Sequence, residues 1–137
     1  MTTYVDASVL LRIVLGEVQP LPNWDELVPV SSELVRVECL RTIERYRLAQ
    51  AFDDEVVAQR RKAVLQSLDT FRLVQPTRTV LERAADPFPV HVATLGAIHL
   101  ATALELRSEI DDLDFATHDQ KLAEAATALG FDVVGAL

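Results

Sequence analysis

Cysteine is almost missing. Cys39 is the one thiol among 137 residues, so no intrachain disulfide can form, which fits a reducing cytoplasm. No apolar run nears the roughly 20 residues a membrane-spanning helix needs. The early candidate, Val9 to Leu15, is interrupted by Arg12, and no basic stretch precedes it as it would in a signal peptide. Internal repeats and low-complexity tracts are lacking too, and the 6 prolines and 4 glycines are scattered as punctuation. Positive charge is in deficit: 13 Lys and Arg face 21 Asp and Glu, for a net charge of −8. That argues against a plain nucleic-acid-binding module, which is normally basic. It leaves room for a metal-dependent nuclease, whose site gathers carboxylates and lets cations screen them.

What is there is an ordinary globular composition, half hydrophobic and a quarter charged, at a length suited to one domain over residues 1–137. Thr3 to Val5 reads as a short buried strand ending at Asp6. Ser8 to Leu15 reads as a helix stopped by Gly16. Pro20 to Trp24 is expected as loop and Leu27 to Val30 as a second strand, blemished by Pro29. Ser31 or Ser32 can cap a long helix whose apolar stripe is Leu34, Val35, Val37, Leu40, Ile43 and Tyr46. Asp53 or Asp54 caps the next helix, to about Leu68. Phe71 to Val74 is a third strand, and Thr77 to Ala85 a helix ended by the Asp86-Pro87-Phe88-Pro89 turn. Thr94 opens a helix with Leu95, Ile98, Ala101, Thr102 and Leu106 inward. Phe115 and Ala116 centre a fourth strand, Asp119 to Leu129 is a helix closed by Gly130, and Asp132 to Val134 a last strand. The alternation implies an α/β fold, a mostly parallel sheet with helices on both faces.

In such sheets ligands sit at the carboxyl ends of the strands. Asp6 stands there, after the first strand, and Asp119 after the fourth. Each could equally cap the helix that follows. Glu38 lies on or beside the apolar stripe of its helix, where a carboxylate needs a partner. Arg41 or Arg45 could supply one, or the side chain could simply be exposed. Together the three acids could converge on a pocket for Mg²⁺ or Mn²⁺. The basic residues are uneven: Arg36, Arg41, Arg45, Arg47, Arg60, Arg61 and Lys62 are seven of the 13. They form either two solvated helix faces or a patch that meets a phosphate backbone. His91, His99 and His118 have no compact zinc spacing. His99 could border the pocket but reads better as an ordinary helix histidine.

These segments resemble the motifs of the PIN-domain family. Tyr4-Val5-Asp6-Ala7-Ser8 resembles its opening strand, Ser32 to Glu38 its second-helix motif, Thr94 to Leu104 its third and Thr117 to Leu122 its fourth. The order and spacing hold over nearly the whole chain, and the likeness is closest to VapC-type toxins of toxin–antitoxin pairs. The resemblance implies a PIN-like fold and an endoribonuclease dependent on Mg²⁺ or Mn²⁺. It further implies a cytoplasmic homodimer with RNA as substrate and a cognate antitoxin as partner, and no membrane. The family's metal-site acids carry over onto Asp6, Glu38 and Asp119, and Ser8 and Thr117 match its supporting polar residues.

One position departs. The family usually has aspartate before Ala-Ile-His-Leu, and this chain has Gly96. Glycine costs a helix about 1 kcal/mol against alanine, whereas a carboxylate in the first turn gains roughly 0.3–1 kcal/mol from the dipole. Helix formation therefore does not account for Gly96. Three origins fit: a substitution that silences the site, a detoxifying change, or a naturally degenerate member; an introduced change is the reading preferred. The expectation is an impaired nuclease, with a PIN-fold module that binds RNA or antitoxin without cutting as the alternative. A phosphoaspartyl enzyme is disfavoured, because Ser8 occupies the place of the second acid a phosphatase would need two residues after Asp6. A receiver domain would need a second acid beside Asp6 and an acceptor after the third strand, and Val74-Gln75-Pro76 offers none.

Overall fold

A computed structural model describes residues 1–17 and 21–136. Five strands form one parallel sheet. They are β1 (Thr2–Val5), β2 (Val28–Ser32), β3 (Arg72–Val74), β4 (Asp114–Ala116) and β5 (Val133–Val134), in the spatial order β3-β2-β1-β4-β5. Six helices connect or flank them: α1 (Ala7–Val14), α2 (Leu34–Leu48), α3 (Asp54–Leu68), α4 (Arg78–Ala85), α5 (Thr94–Arg107) and α6 (Gln120–Ala128). The expected α/β architecture is therefore present.

Alternation along the strands divides the core into two layers. Val5 and Ala116 turn toward α1, α2 and α3, where Val9, Leu10, Val35, Cys39, Ile43 and Val64 pack. Tyr4, Val30 and Phe115 turn the other way, onto Leu100, Ala103 and Leu106 of α5 and Leu122, Ala125 and Ala126 of α6. Burying both faces is what a parallel sheet requires.

The helix ends follow local chemistry. Asp6, Asp53, Thr77 and Asp119 cap α1, α3, α4 and α6 by accepting a backbone N–H from inside the first turn. Gly16 and Gly130, at φ 72° and 93°, stop the chain just past α1 and α6. α2 and α5 begin without a side-chain bond from their cap residues, Glu33 and Ala93. At α2 the Ser32 hydroxyl accepts from Leu34 N at 3.1 Å.

Several boundaries differ from the sequence reading. β2 extends through Ser31 and Ser32, because Ser31 Oγ donates to Val5 O across the sheet at 2.7 Å and satisfies its own hydroxyl there. Pro29 is accommodated in an internal strand because β3 begins to pair only at Val30; Pro29 itself faces β1 alone. The loop expected from Pro20 to Trp24 becomes a short 3₁₀ turn at Trp24–Glu26, and Pro20 lies outside the described residues. The expected apolar stripes are narrower than drawn. α2 buries Val35, Cys39 and Ile43, while Val37 is 55% exposed, Tyr46 is also exposed, and Leu95 of α5 is 47% exposed. No helix of the described residues is long and apolar enough to cross a membrane.

Candidate functional site

The sheet reverses its strand order about β1, with β2 on one side and β4 on the other. A crevice at the carboxyl ends of such neighbouring strands is the usual ligand position. Asp6 leaves β1 there and Asp119 follows β4. A cavity of about 320 Å³ opens at this point, lined by Asp6, Glu38 and Asp119 together with Gly96, His99 and Lys121.

Asp6 is held hard. It is buried, and its backbone N–H donates to Ala116 O at 3.0 Å, which ties the residue to β4. One carboxylate oxygen, Oδ2, accepts from Ser8 Oγ at 2.7 Å and Thr117 Oγ1 at 2.9 Å, with Ser8 N at 3.4 Å. Ser8 Oγ in turn accepts from His118 N, and Thr117 Oγ1 from Asp119 N. Ser8 and Thr117 thus lock Asp6 and the start of α6 into one network. With Oδ2 engaged, Oδ1 faces the cavity, 3.8 Å from His99 Nε2. For Asp6, capping and site geometry are both realised.

Glu38 stands one turn into α2 and is partly buried. Its partner is neither Arg41 nor Arg45: His99 Nε2–H donates to Glu38 Oε1 at 2.5 Å. On the far side of the ring, the Tyr4 hydroxyl lies 2.6 Å from Nδ1. His99 is thus clamped between a buried tyrosine and a carboxylate and is itself 1% exposed. Burial favours the neutral ring, but the hydrogen bond and charge of Glu38, with the charge of Asp6, outweigh it and raise the His99 pKa. Burial pushes the Tyr4 hydroxyl far above its ordinary range, so it stays protonated.

Asp119 lies at the exposed end of the cavity, with Oδ1 accepting from Leu122 N at 3.1 Å as the α6 cap. The tight cluster of potential ligand atoms among the described residues is Asp6, Glu38 and His99, all within 4.8 Å of one another. Asp119 shares the cavity without joining that cluster. Gly96, in the first turn of α5, lines the same cavity. Its φ is ordinary, and a Cβ there would meet Leu122 Cδ1 at 3.4 Å, an ordinary contact. Nothing in the backbone demands glycine at this place.

Of the sequence candidates, the structure brings Asp6, Glu38 and Asp119 to one cavity, with Ser8 and Thr117 behind Asp6. The reading of His99 as an ordinary helix histidine is corrected. The signal was available: His99 follows Gly96 by three residues on α5, nearly one turn, and so shares its face. His91 also lines the cavity, while His118 Nδ1–H donates to Gly135 O at 2.6 Å, away from it.

The donor chemistry fits a divalent cation. Carboxylate oxygens suit Mg²⁺ or Mn²⁺. The imidazole, fixed by Tyr4 and Glu38, is better placed to orient Glu38.

This fold and crevice are those of a PIN domain. The family profile for the PIN domain matches residues 3–128, and the chain belongs to that family. Within it the chain is 31% identical to Ribonuclease VapC46 of Mycobacterium tuberculosis, over 96% of this chain and 95% of that protein. It is 34% identical to Ribonuclease VapC35 of the same species, over 96% and 94%, and so resembles VapC-type toxins. A solved toxin–antitoxin complex from Klebsiella pneumoniae shares the fold, with a TM-score of 0.60 at 16% identity over 96% of this chain and 95% of that one.

Proposed function

We propose that this chain is a divalent-metal-dependent endoribonuclease, the toxin of a toxin–antitoxin pair, weakened at Gly96. The observation that carries the reading is the convergence of Asp6, Glu38 and Asp119, from three separate elements, on one cavity at the carboxyl edge of the sheet. VapC ribonuclease relatives covering nearly the full chain support it.

Asp6 and Glu38 would hold Mg²⁺ or Mn²⁺, with Asp119 across the cavity. The ion would supply water activation and charge neutralisation for in-line phosphodiester cleavage. The protein's own contribution is positional. Ser8 and Thr117 fix Asp6 so that Oδ1 points into the cavity, and Tyr4 and His99 fix Glu38. Gly96 withholds the further carboxylate that the family motif supplies from α5. A hard cation needs several oxygens in place of its waters, so binding is weak in this form.

The partner is an antitoxin with a basic segment, since charge complementarity speeds encounter with a protein of net charge −8. The chain acts in the cytoplasm as a homodimer, which light scattering at micromolar concentration checks; monomer mass alone would refute it. Gly96 specifically favours a second reading, a PIN-fold module that binds RNA or antitoxin without cutting. Cleavage of total RNA with Mn²⁺ or Mg²⁺ and with chelator, by the chain and by Gly96→Asp, separates the two. Metal-dependent cutting that rises in Gly96→Asp supports the nuclease. No cutting by either protein leaves the binding module.

A further inference from the structure

The acids stand between two depressions. Beyond the cavity already described, a groove of about 370 Å³ runs from Asp6, Glu38 and Asp119 along α2, past Val37, to Arg41 and Arg45. We propose that this groove and the cavity form one continuous track for single-stranded RNA, in which Arg41 and Arg45 grip phosphates on one side of the acids and Lys121 on the other. The assignment rests on the ribonuclease reading and names the residues that seat its substrate.

Helix geometry places the arginines. At 100° and 1.5 Å per residue, Arg45 lies within about 20° of Glu38 around α2 and about 10.5 Å farther along it, with Arg41 about 4.5 Å along and some 60° to the side. Both are exposed, and among the described residues neither has a carboxylate within ion-pair distance. Arg45 is steadied by donating to Thr42 Oγ1 at 3.1 Å. The other cations of the basic stretch are differently used. Arg36 pairs with Glu33, Arg47 with Glu44, and Arg60 donates to Val14 O at 2.7 Å. Arg61 and Lys62 line a separate groove between α2 and α3 that also carries Asp54 and Asp69 and none of the cavity acids. The structure thereby divides a stretch that reads as uniform in sequence and sets two unpaired arginines beside the acids.

The track answers an electrostatic difficulty. A phosphodiester approaching three carboxylates in an acidic protein is repelled unless cations flank its path. Arg41 and Arg45 at one end and exposed Lys121 at the other supply that flank. Leu95, exposed and bordering both depressions, together with Val37 offers apolar surface to base faces between them.

The test is fluorescence anisotropy with a labelled single-stranded RNA of mixed sequence, with KCl titrated and chelator present. The protein is the full chain carrying Glu38→Gln, which keeps the track while disabling cleavage. Each phosphate contact on a single strand contributes about −0.7 to the slope of log K against log [salt]. The pair Arg41→Gln and Arg45→Gln should flatten the slope by about 1.4 and Lys121→Gln by about 0.7. Arg61→Gln with Lys62→Gln should leave it unchanged. All five positions are exposed, so equal melting temperatures verify folding. If the α3 pair carries the slope and the α2 pair does not, the track is wrong while the nuclease reading stands. An unchanged RNA slope with lost binding of an antitoxin peptide assigns the groove to a polypeptide and also overturns the track. If the protein with Glu38→Gln binds no RNA at low salt while the unsubstituted chain and Gly96→Asp cut none, both readings fall.

Discussion

The two walls of the cavity are built in opposite ways. On the β1 wall, Asp6 has one oxygen engaged by Ser8 and Thr117 and its backbone N–H bonded to Ala116, so its second oxygen has one direction to face. On the α5 wall, the cap residue Ala93 offers no side-chain bond, the first helical turn from Thr94 contains no acidic residue, and Gly96 presents nothing to the cavity. One wall pre-orients a charge with neutral donors; the other leaves the orphan N–H groups of a helix start without a carboxylate. The contrast teaches that a candidate cation site depends on the surroundings of each acid as much as on the number of acids.

The largest effect should come from breaking the ordered wall. Asp6→Ala removes the α1 cap, typically about 1 kcal/mol, and strands the buried Thr117 hydroxyl and its neighbour, about 1–3 kcal/mol more. Urea unfolding should therefore register a loss of about 2–4 kcal/mol on these principles. Asp119→Ala, at an exposed cap, should lose only about 1 kcal/mol. Equal losses would refute the contrast.

Rebuilding the empty wall is the next test. Gly96→Asp should raise metal-dependent RNA cleavage by at least about 10–100-fold, the usual weight of even an indirect partner at a metal site. Without metal, repulsion from Asp6 and Glu38 should offset the gain from helix propensity. With millimolar Mn²⁺ or Mg²⁺ the variant should gain more in melting temperature than the Gly96 chain, since an ion that binds only the folded state stabilises it. Identical metal responses in the two proteins would rule out the missing-acid account.

A smaller effect is expected behind Glu38. Tyr4→Phe keeps the ring stacked on Phe115 but removes the partner of His99 Nδ1. Leaving that nitrogen unpaired in the core should cost about 1–3 kcal/mol by thermal unfolding. Cleavage by the Gly96→Asp protein should fall further than stability explains if His99 orients Glu38.

The smallest concerns Cys39, on the buried face of α2. Burial, with the charges of Glu38 and Asp6, pushes its thiol up to about 12. The thiol should resist alkylation at pH 8 in the folded protein and react on unfolding. Its folded pKa lies above the unfolded value of about 8.5, so the native state holds the proton longer. This contribution to stability is whole below about pH 8.5 and is lost as pH rises toward 12. Rapid labelling of native protein would contradict it.

Sequence alone determined the order of strands and helices, the possible caps at Asp6, at Asp53 or Asp54 and at Asp119, and the glycine stops, because these depend on residues within a turn of one another. It also placed Asp6, Glu38 and Asp119 as candidates, since strand ends and an acid beside an apolar stripe are readable in one dimension. Tertiary structure alone decided which partner Glu38 takes. Arginines three and seven residues ahead on the same helix were the local choice, yet the partner is a histidine 61 positions away, brought in by α5 packing on the opposite side of the sheet's edge. It likewise decided that Val37 and Leu95 face a groove rather than the core. Helical periodicity marks an apolar face but does not say how much of that face a neighbour will cover, which only the packing of α1, α2 and α5 around the crevice fixes.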